Sequence, residues 1–136
     1  MDNQNIQDIL KAHGIRKTLF RTELLDIFIK SRYGLSFSDI KSKVTQTQDK
    51  VTIYRGLDVF LEKGLIHKVP SNDRVAKYAL HSLEEVHNRA HVHFICTECD
   101  NTFCLNEIEI PEIKDMPGYK IQKSKLTLEG NCPDCI

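Results

Sequence analysis

Two Cys-x-x-Cys pairs impose the strongest constraint on the fold of this chain. Cys96 and Cys99 form the first pair, Cys132 and Cys135 form the second, and thirty-two residues lie between the pairs. Four thiolates in two such pairs are the ligand set of structural zinc, which binds sulfur tetrahedrally and keeps no open position. The pattern therefore predicts a Zn²⁺ ion that ties the last residues back to a hairpin around Cys96.

A redox dithiol is the alternative interpretation of a Cys-x-x-Cys pair. It requires an exposed thiol of low pKa at the start of a helix, and neither pair precedes a helical pattern. The chain begins "MDNQNIQDIL", without the basic and apolar segments of a secretory signal, and it has no run of ~18 apolar residues. We therefore expect a cytoplasmic protein that does not span a membrane, in which cysteines stay reduced and bind metal.

The stretch "HVHFICTECDNTFC" predicts a second metal site. His91 and His93 are two residues apart in a strand, so they face the same side. If Cys96–Cys99 forms the turn of a hairpin, residues whose numbers sum to about 195 lie opposite one another, which brings Cys104 beside both histidines. Imidazole and thiolate together favour zinc-like ions. A fourth ligand is still needed, and His67 and His81 are both candidates.

The first half of the chain predicts a winged helix-turn-helix. Apolar residues recur at helical spacing in four stretches, at 6–13, 18–31, 35–44 and 49–66. Ser36 is the predicted N-cap of the third, and Gly64 ends the fourth. "LIHKV" and "VAKYAL" follow as short strands joined by the turn-rich segment "PSNDR".

Charge supports a polyanionic partner for this half. Residues 1–82 carry fourteen Lys and Arg against nine Asp and Glu, a net charge of +5, whereas residues 83–136 carry five against ten, a net charge of −5. A solvated helix face is the alternative interpretation of the polar side of the fourth helix. The predicted contacts with DNA lie on that helix, before the second helix and on the wing: Arg16, Lys17, Lys50, Thr52, Tyr54, Arg55, Lys68, Arg74 and Lys77.

Taken together, these motifs resemble the ferric uptake regulator family of metal-dependent bacterial repressors. The resemblance extends from Gly14 to Cys135 and rests on "TLFRTELLDIF", "VTIYRGLDVFLEKGLI", "HVHFICTECDNTF" and "GNCPDC". It implies an α+β protein with a winged-helix DNA-binding domain at 1–82, a hinge at 83–90 and an α/β dimerisation domain at 91–136 that holds a four-cysteine zinc site. It also implies a homodimer that binds an inverted-repeat operator when its sensory site is filled.

Specific positions refine the resemblance. His67 and His81 occupy places that supply sensory ligands in the zinc-responsive branch, and Cys104 stands where relatives place a carboxylate. Gly34 stands where iron-type members carry a histidine. The soft ligand set points to Zn²⁺ rather than Fe²⁺ at the regulatory site, with an iron-responsive regulator as the alternative.

Two other function classes compete with a metal sensor. A DNA-binding dimer that carries only the structural zinc would need no second site. A zinc enzyme would need a base such as Glu84 or Glu98 beside the ion, but the chain has no His-Glu-x-x-His motif and no deaminase-type His-x-Glu motif. We therefore expect neither catalysis nor a small-molecule substrate.

Overall fold

The computed structural model describes residues 3–81, 90–105, 108, 113–122 and 124–136. The helices and strands are, in chain order, α1 (Asn3–Ala12), α2 (Leu19–Lys30), β1 (Leu35–Ser36), α3 (Phe37–Lys43), α4 (Lys50–Glu62), β2 (Ile66–Val69), β3 (Lys77–Leu80), β4 (Ala90–Cys96), β5 (Thr102–Cys104) and β6 (Ser124–Gly130), followed by a 3-10 turn at Pro133–Cys135. The predicted α+β class is confirmed.

Local capping determines where the helices start. The Thr18 side chain accepts a hydrogen bond from the backbone N–H of Arg21 at the start of α2. At α3, Ser36 and Asp39 form a reciprocal capping box, in which each side chain accepts from the other residue's backbone N–H. These bonds satisfy donors that a helix leaves without intrahelical partners. The predicted N-cap at Ser36 is therefore confirmed.

The apolar faces of the four helices pack into one core with β1, β2 and β3. Its buried residues are Ile6, Leu10, Ile15, Leu24, Leu25, Phe28, Leu35, Ile40, Val44, Ile53, Leu57, Phe60, Leu65, Ile66 and Tyr78. Gly56 lets α4 approach α2, because a Cβ at this position would lie 2.5 Å from Cε2 of Phe20. The core lies wholly within residues 6–78, so the first half has a hydrophobic interior of its own.

The first sheet has the strand order β1-β3-β2 and is antiparallel throughout. β2 and β3 form the predicted wing, in which Ile66 pairs with Leu80 and Val69 pairs with Lys77. The second wing strand is shorter than "VAKYAL" indicated, because Val75 and Ala76 lie in the turn before it.

The second sheet has the order β5-β4-β6, with β5 antiparallel and β6 parallel to β4. Cys96 and Gly130 are paired at the ends of the two parallel strands. Since parallel strands finish at the same edge of a sheet, both Cys-x-x-Cys pairs emerge together. This arrangement supplies the geometry that the predicted zinc site needs.

Three predictions about elements need adjustment. The strand predicted for 118–130 begins only at Ser124, and 118–122 are not extended into the sheet. The helical turn predicted for 110–116 is absent from 113–116, while 110–112 lie outside the described residues. The predicted hinge at 83–90 also lies outside them except for Ala90, which already belongs to β4. Across the described residues, no helix combines the length and apolar character needed to cross a bilayer.

Candidate metal centres and nucleic-acid interface

Four cysteine side chains converge at the end of the second sheet. The sulfur atoms of Cys96, Cys99, Cys132 and Cys135 all lie within 4.8 Å of one another. The Sγ atoms of Cys99 and Cys132 are 3.8 Å apart. Two thiolates bound tetrahedrally to zinc at ~2.3 Å are separated by about 3.8 Å. The four thiols are therefore close enough together to hold a structural zinc ion.

Backbone N–H groups lower the pKa of one thiol in this cluster. Burial raises the pKa of the Cys96 thiol, but backbone N–H groups of Cys132, Cys99 and Glu98 outweigh burial and bring the pKa down to about 6. The backbone N–H of Cys132 donates to Cys96 Sγ at 3.4 Å. Hydrogen bonds with the side chains of Cys132 and Cys96 raise the pKa of Cys135 instead. Zinc binding must therefore displace protons from the cluster.

A second cluster joins the two halves of the chain. It consists of His67 on β2, His93 on β4 and Cys104 on β5, whose ligand atoms lie within 4.8 Å of one another. Nε2 of His67 is 3.4 Å from Nε2 of His93 and 3.8 Å from Sγ of Cys104. A tetrahedral zinc ion would separate two imidazole nitrogens by about 3.3 Å and a nitrogen from a sulfur by about 3.6 Å. These three donors fit such an ion.

The register of the second hairpin differs from the prediction by two residues. Cys104 lies opposite His93, and Ile95 lies opposite Thr102, so paired numbers sum to 197 rather than 195. The turn is wider because the backbone N–H of Cys96 donates to the carbonyl of Asn101 and not to Cys99. Cys104 still reaches the predicted cluster, with His93 as its direct partner.

Burial disfavours the charged forms of the side chains in the second cluster when no metal ion is bound. His93 is 5% exposed, and burial raises the pKa of the Cys104 thiol to about 11. A neutral thiol and two imidazoles are compatible with this environment, whereas a bound divalent ion would stabilise the thiolate. The donors are two nitrogens and one sulfur, a combination that suits zinc better than ferrous iron.

His81 and His91 occupy different places relative to this cluster. The ring of His81 packs against that of His67, with centroids 4.6 Å apart, so His81 lies next to the cluster although it is not among its three converging donors. His91 lies on β4 two residues before His93. The side chain of His91 is outside the described part of the structure.

The exposed face of α4 carries the candidate DNA contacts. Lys50 and Arg55 are exposed, and Tyr54 stacks flat against Phe37 of α3 with ring centroids 4.3 Å apart. Val51 is also on the surface, 52% exposed. Sequence reasoning missed Val51, because an apolar residue near a helix start is normally counted with the core. An exposed apolar residue there can contact a thymine methyl group.

Thr52 is half-buried and its hydroxyl is already in use. It donates to the Asp49 carboxylate at 2.7 Å, and this bond is the main reason that the pKa of Asp49 is lowered. Thr52 therefore supports the start of the helix and has no hydroxyl proton left to donate to a phosphate.

The basic residues predicted to contact DNA from outside α4 differ in their exposure to solvent. The exposed predicted contacts outside α4 are Arg16, Lys17, Lys68 and Arg74. Lys77 is only 6% exposed, and its ammonium contacts Asp73 at 3.3 Å and the carbonyl oxygen of Asp100 at 2.5 Å. The prediction that Lys77 contacts DNA is wrong, because a buried ammonium with two protein partners is unavailable to a phosphate.

Comparison with known proteins decides the family. The model of the "Ferric uptake regulator family" matches residues 12–129. This chain belongs to the ferric uptake regulator family. The match covers both clusters apart from the second cysteine pair, which follows it. Membership makes the protein a metal-dependent, DNA-binding regulator of transcription and not an enzyme.

Relatives agree along the whole chain. A "Ferric uptake regulation protein" of Staphylococcus aureus is 30% identical over 139 residues, covering 99% of this chain and 98% of the relative. A zinc uptake regulator solved with zinc and DNA superimposes with a TM-score of 0.66 at 21% identity, covering 98% of this chain and 91% of that one. The ferric uptake regulator of Helicobacter pylori gives 0.63 at 16% identity, covering 99% and 94%. These structures share the family's fold.

Proposed function

We propose that this protein is a zinc-responsive repressor of the cytoplasm, which binds an inverted-repeat operator as a homodimer when its regulatory site holds Zn²⁺. In this proposal His67, His93 and Cys104 bind the regulatory ion, with His81 or His91 as the fourth ligand. Cys96, Cys99, Cys132 and Cys135 hold a separate structural zinc ion.

One observation carries the proposal: ligands from both halves meet in a single cluster. His67 comes from the wing of the DNA-binding half, whereas His93 and Cys104 come from neighbouring strands of the second sheet. A bound ion supplies a bridge between the wing and that sheet. A site that spans two halves in this way is well suited to control their relative orientation.

Orientation matters because an inverted repeat presents two half-sites at a defined spacing. A dimer binds both only when its two recognition helices enter successive major grooves together. The exposed face of α4 supports it as the recognition helix, with Lys50, Val51 and Arg55 nearest the bases and Tyr54 at the border with α3. Arg16, Lys17, Lys68 and Arg74 are suited to contact the phosphate backbone.

A zinc titration tests the sensor directly. Protein stripped of exchangeable metal is mixed with a fluorescent inverted-repeat duplex, and anisotropy is followed as free Zn²⁺ is raised with a buffered chelator. We expect operator affinity to rise about 5–150-fold, the usual range of allosteric coupling. Elemental analysis should give two zinc ions per subunit in the saturated state and one in the stripped state.

A matched variant separates the regulatory site from the structural one. His93→Ala should retain one zinc ion per subunit and should no longer respond to added zinc. Equal operator affinity with and without zinc in the natural protein would disprove the zinc sensor and leave two readings, an iron-responsive regulator or a DNA-binding dimer with structural zinc only.

An iron-responsive regulator is the second candidate. The name of the relative at 30% identity, "Ferric uptake regulation protein", favours it. Parallel anaerobic titrations with Fe²⁺ and Zn²⁺ distinguish the two, since an iron sensor would reach half-maximal operator binding at a free Fe²⁺ concentration found in cells and would do so without zinc.

A further inference from the structure

A second group of contacts joins the two halves away from the regulatory cluster. The backbone N–H of Gly34 donates to the carbonyl of Thr102 at 2.6 Å. The hydroxyl of Thr102 donates to the carbonyl of Pro70 at 2.8 Å, and the ammonium of Lys77 donates to the carbonyl of Asp100 at 2.5 Å. None of these residues is a proposed metal ligand.

Lys77 is the central member of this group. Its ammonium is buried between the Asp73 carboxylate and the Asp100 carbonyl. Desolvation of the charge opposes docking, and the hydrogen bond to the Asp100 carbonyl, which exists only in the docked arrangement, offsets that cost. Separation of the two halves would break this bond.

Gly34 makes the second contact of this group. Its backbone N–H bonds with the carbonyl of Thr102, which is fully buried. A Cβ at Gly34 would lie 2.8 Å from Cγ2 of Val69 on β2, so a side chain at this position would displace the wing strand.

The surface that receives the winged-helix half is built from the zinc knuckles. Asp100 directly follows the ligand Cys99, and Thr102 begins the strand after that turn. Two exposed contacts reach the other knuckle, from Asn72 to Glu129 at 3.1 Å and from Arg32 to Asp134 at 3.7 Å. The exposed pairs contribute little by themselves.

The same strands continue to the regulatory cluster. β5 carries Thr102 at one end and Cys104 at the other, and β3 begins with Lys77 and is followed directly by His81. The contacts to the turn after Cys99 and the donors of the second cluster therefore lie at opposite ends of the same two strands.

We propose that Gly34, Lys77 and Thr102 form a latch, the knuckle latch, which docks the winged-helix half on the structural zinc knuckle and is coupled energetically to the regulatory metal site. The coupling rests on the proposed function, whereas the docking does not. The structural zinc ion then has two roles, since it holds the second sheet together and maintains the platform on which the DNA-binding half is oriented.

Lys77→Met tests the latch, because it keeps the length of the side chain and removes its ammonium. Lys63→Met, at an exposed lysine just after α4, is the matched control for charge. Hydrogen exchange of the Gly34 amide, measured by NMR in zinc-saturated full-length protein, reports docking. Zinc-dependent operator binding, measured by anisotropy, reports coupling.

We expect Lys77→Met to accelerate Gly34 exchange at least tenfold and to raise the free zinc needed for half-maximal operator binding about fivefold or more. Both metal ions should still bind at saturation. Lys63→Met should match the natural protein in both readouts. Thr102→Val removes only the bond to Pro70, so it should shift both readouts in the same direction as Lys77→Met but by a smaller factor. If Lys77→Met fails to fold, Thr102→Val takes its place.

Each readout can overturn its own part of the proposal. If the Gly34 amide exchanges at the same rate in Lys77→Met and Thr102→Val as in Lys63→Met, the docking is disproved. Faster exchange with an unchanged zinc midpoint would disprove the coupling. If operator binding by the natural protein proves independent of zinc, the proposed function fails, yet Gly34 exchange still decides whether the latch exists.

Discussion

Nε2 of His67 lies 3.4 Å from Nε2 of His93, although 26 residues separate the two histidines in the chain. His67 lies on the wing and His93 on the central strand of the second sheet, so potential metal ligands from the two halves meet here. Cys104 completes the group from the neighbouring strand.

Cys104→Asp should shift the metal preference of the His67–His93–Cys104 cluster toward harder ions. Replacing the thiolate by a carboxylate leaves two imidazoles and an oxygen, a set that binds Fe²⁺ and Mn²⁺ better relative to Zn²⁺. We expect the ratio of Zn²⁺ to Fe²⁺ affinity, measured by anaerobic competition with a chromophoric chelator, to fall by about tenfold or more. Cys104→Ser is the control, because it removes sulfur without adding a carboxylate and should weaken binding of both metals. An unchanged ratio in Cys104→Asp would show that Cys104 is not a ligand.

Removal of the structural zinc should unfold the second sheet and spare the helices. The only buried aliphatic side chains of that sheet among the described residues are Val92 and Ile95, whereas the helical half has its own core. Zinc bound by such clusters contributes about 10–16 kcal/mol in model peptides, which a small sheet cannot replace. After treatment with a strong chelator, or in Cys96→Ser, we expect loss of the dimer by analytical ultracentrifugation with most helical circular dichroism retained. A dimeric, zinc-free Cys96→Ser protein would contradict the structural role.

Arg55→Ala should weaken operator binding and leave folding unchanged. Arg55 is exposed on α4, on the side opposite the buried Ile53 and Leu57. Loss of an arginine that contacts a base edge costs about 1–3 kcal/mol of binding free energy. Lys30→Ala is the control, because it removes the same charge at an exposed site on α2. Among the ion pairs of the described residues, Lys30 pairs only with Asp26. Both variants are compared in an anisotropy titration at fixed salt. Equal effects of the two substitutions would mean that α4 does not read the operator.

Glu23 should stabilise the segment before α4 in a pH-dependent manner. Its carboxylate accepts hydrogen bonds from the backbone N–H groups of Thr45 and Gln46 and from the Thr45 hydroxyl. Partial burial raises the pKa of Glu23, but these bonds outweigh burial and hold it below the ordinary value of 4.5. A lowered folded-state pKa means that the stabilisation is complete above pH 4.5 and is lost as the pH falls through the folded-state value.

Glu23→Gln measures this contribution. We expect it to lower the free energy of unfolding by about 1 kcal/mol at pH 7, a value reduced by the exposure of the site, and to have no effect below the folded-state pKa, where the natural carboxyl is also neutral. Denaturant unfolding of both proteins across this pH range, with Glu62→Gln as the exposed control, provides the test. A difference that persists undiminished in acid would assign the effect to packing instead of charge.

The sequence predicted those features that depend on near neighbours. Helix boundaries followed from apolar spacing and from caps such as Ser36, since a cap bond joins residues only three positions apart. The cysteine pairs predicted a zinc site because their spacing brings two sulfurs together in a single turn. His91, His93 and Cys104 could be identified from strand alternation and an expected hairpin, and His67 and His81 from their places in the wing and the family resemblance.

Features that depend on distant parts of the chain escaped sequence reasoning. Lys77 resembles any basic wing residue until its burial beside Asp100 is seen. Gly56, in the middle of a helix, has no local explanation and is required by the close approach of Phe20 and Leu24 on α2. The hairpin register shifted by two residues because the bond between Cys96 and Asn101, not the cysteine pair, closes the turn.

By itself the sequence determined the inventory of this protein, meaning its helices, its two cysteine knuckles and the donors available for a second ion. Only the tertiary structure decided which donors share a site and which charges face solvent. The physical reason is that capping and ligand spacing act within one turn of chain, whereas the meeting of His67 with His93 and of Lys77 with Asp100 depends on how two separately folded sheets pack together.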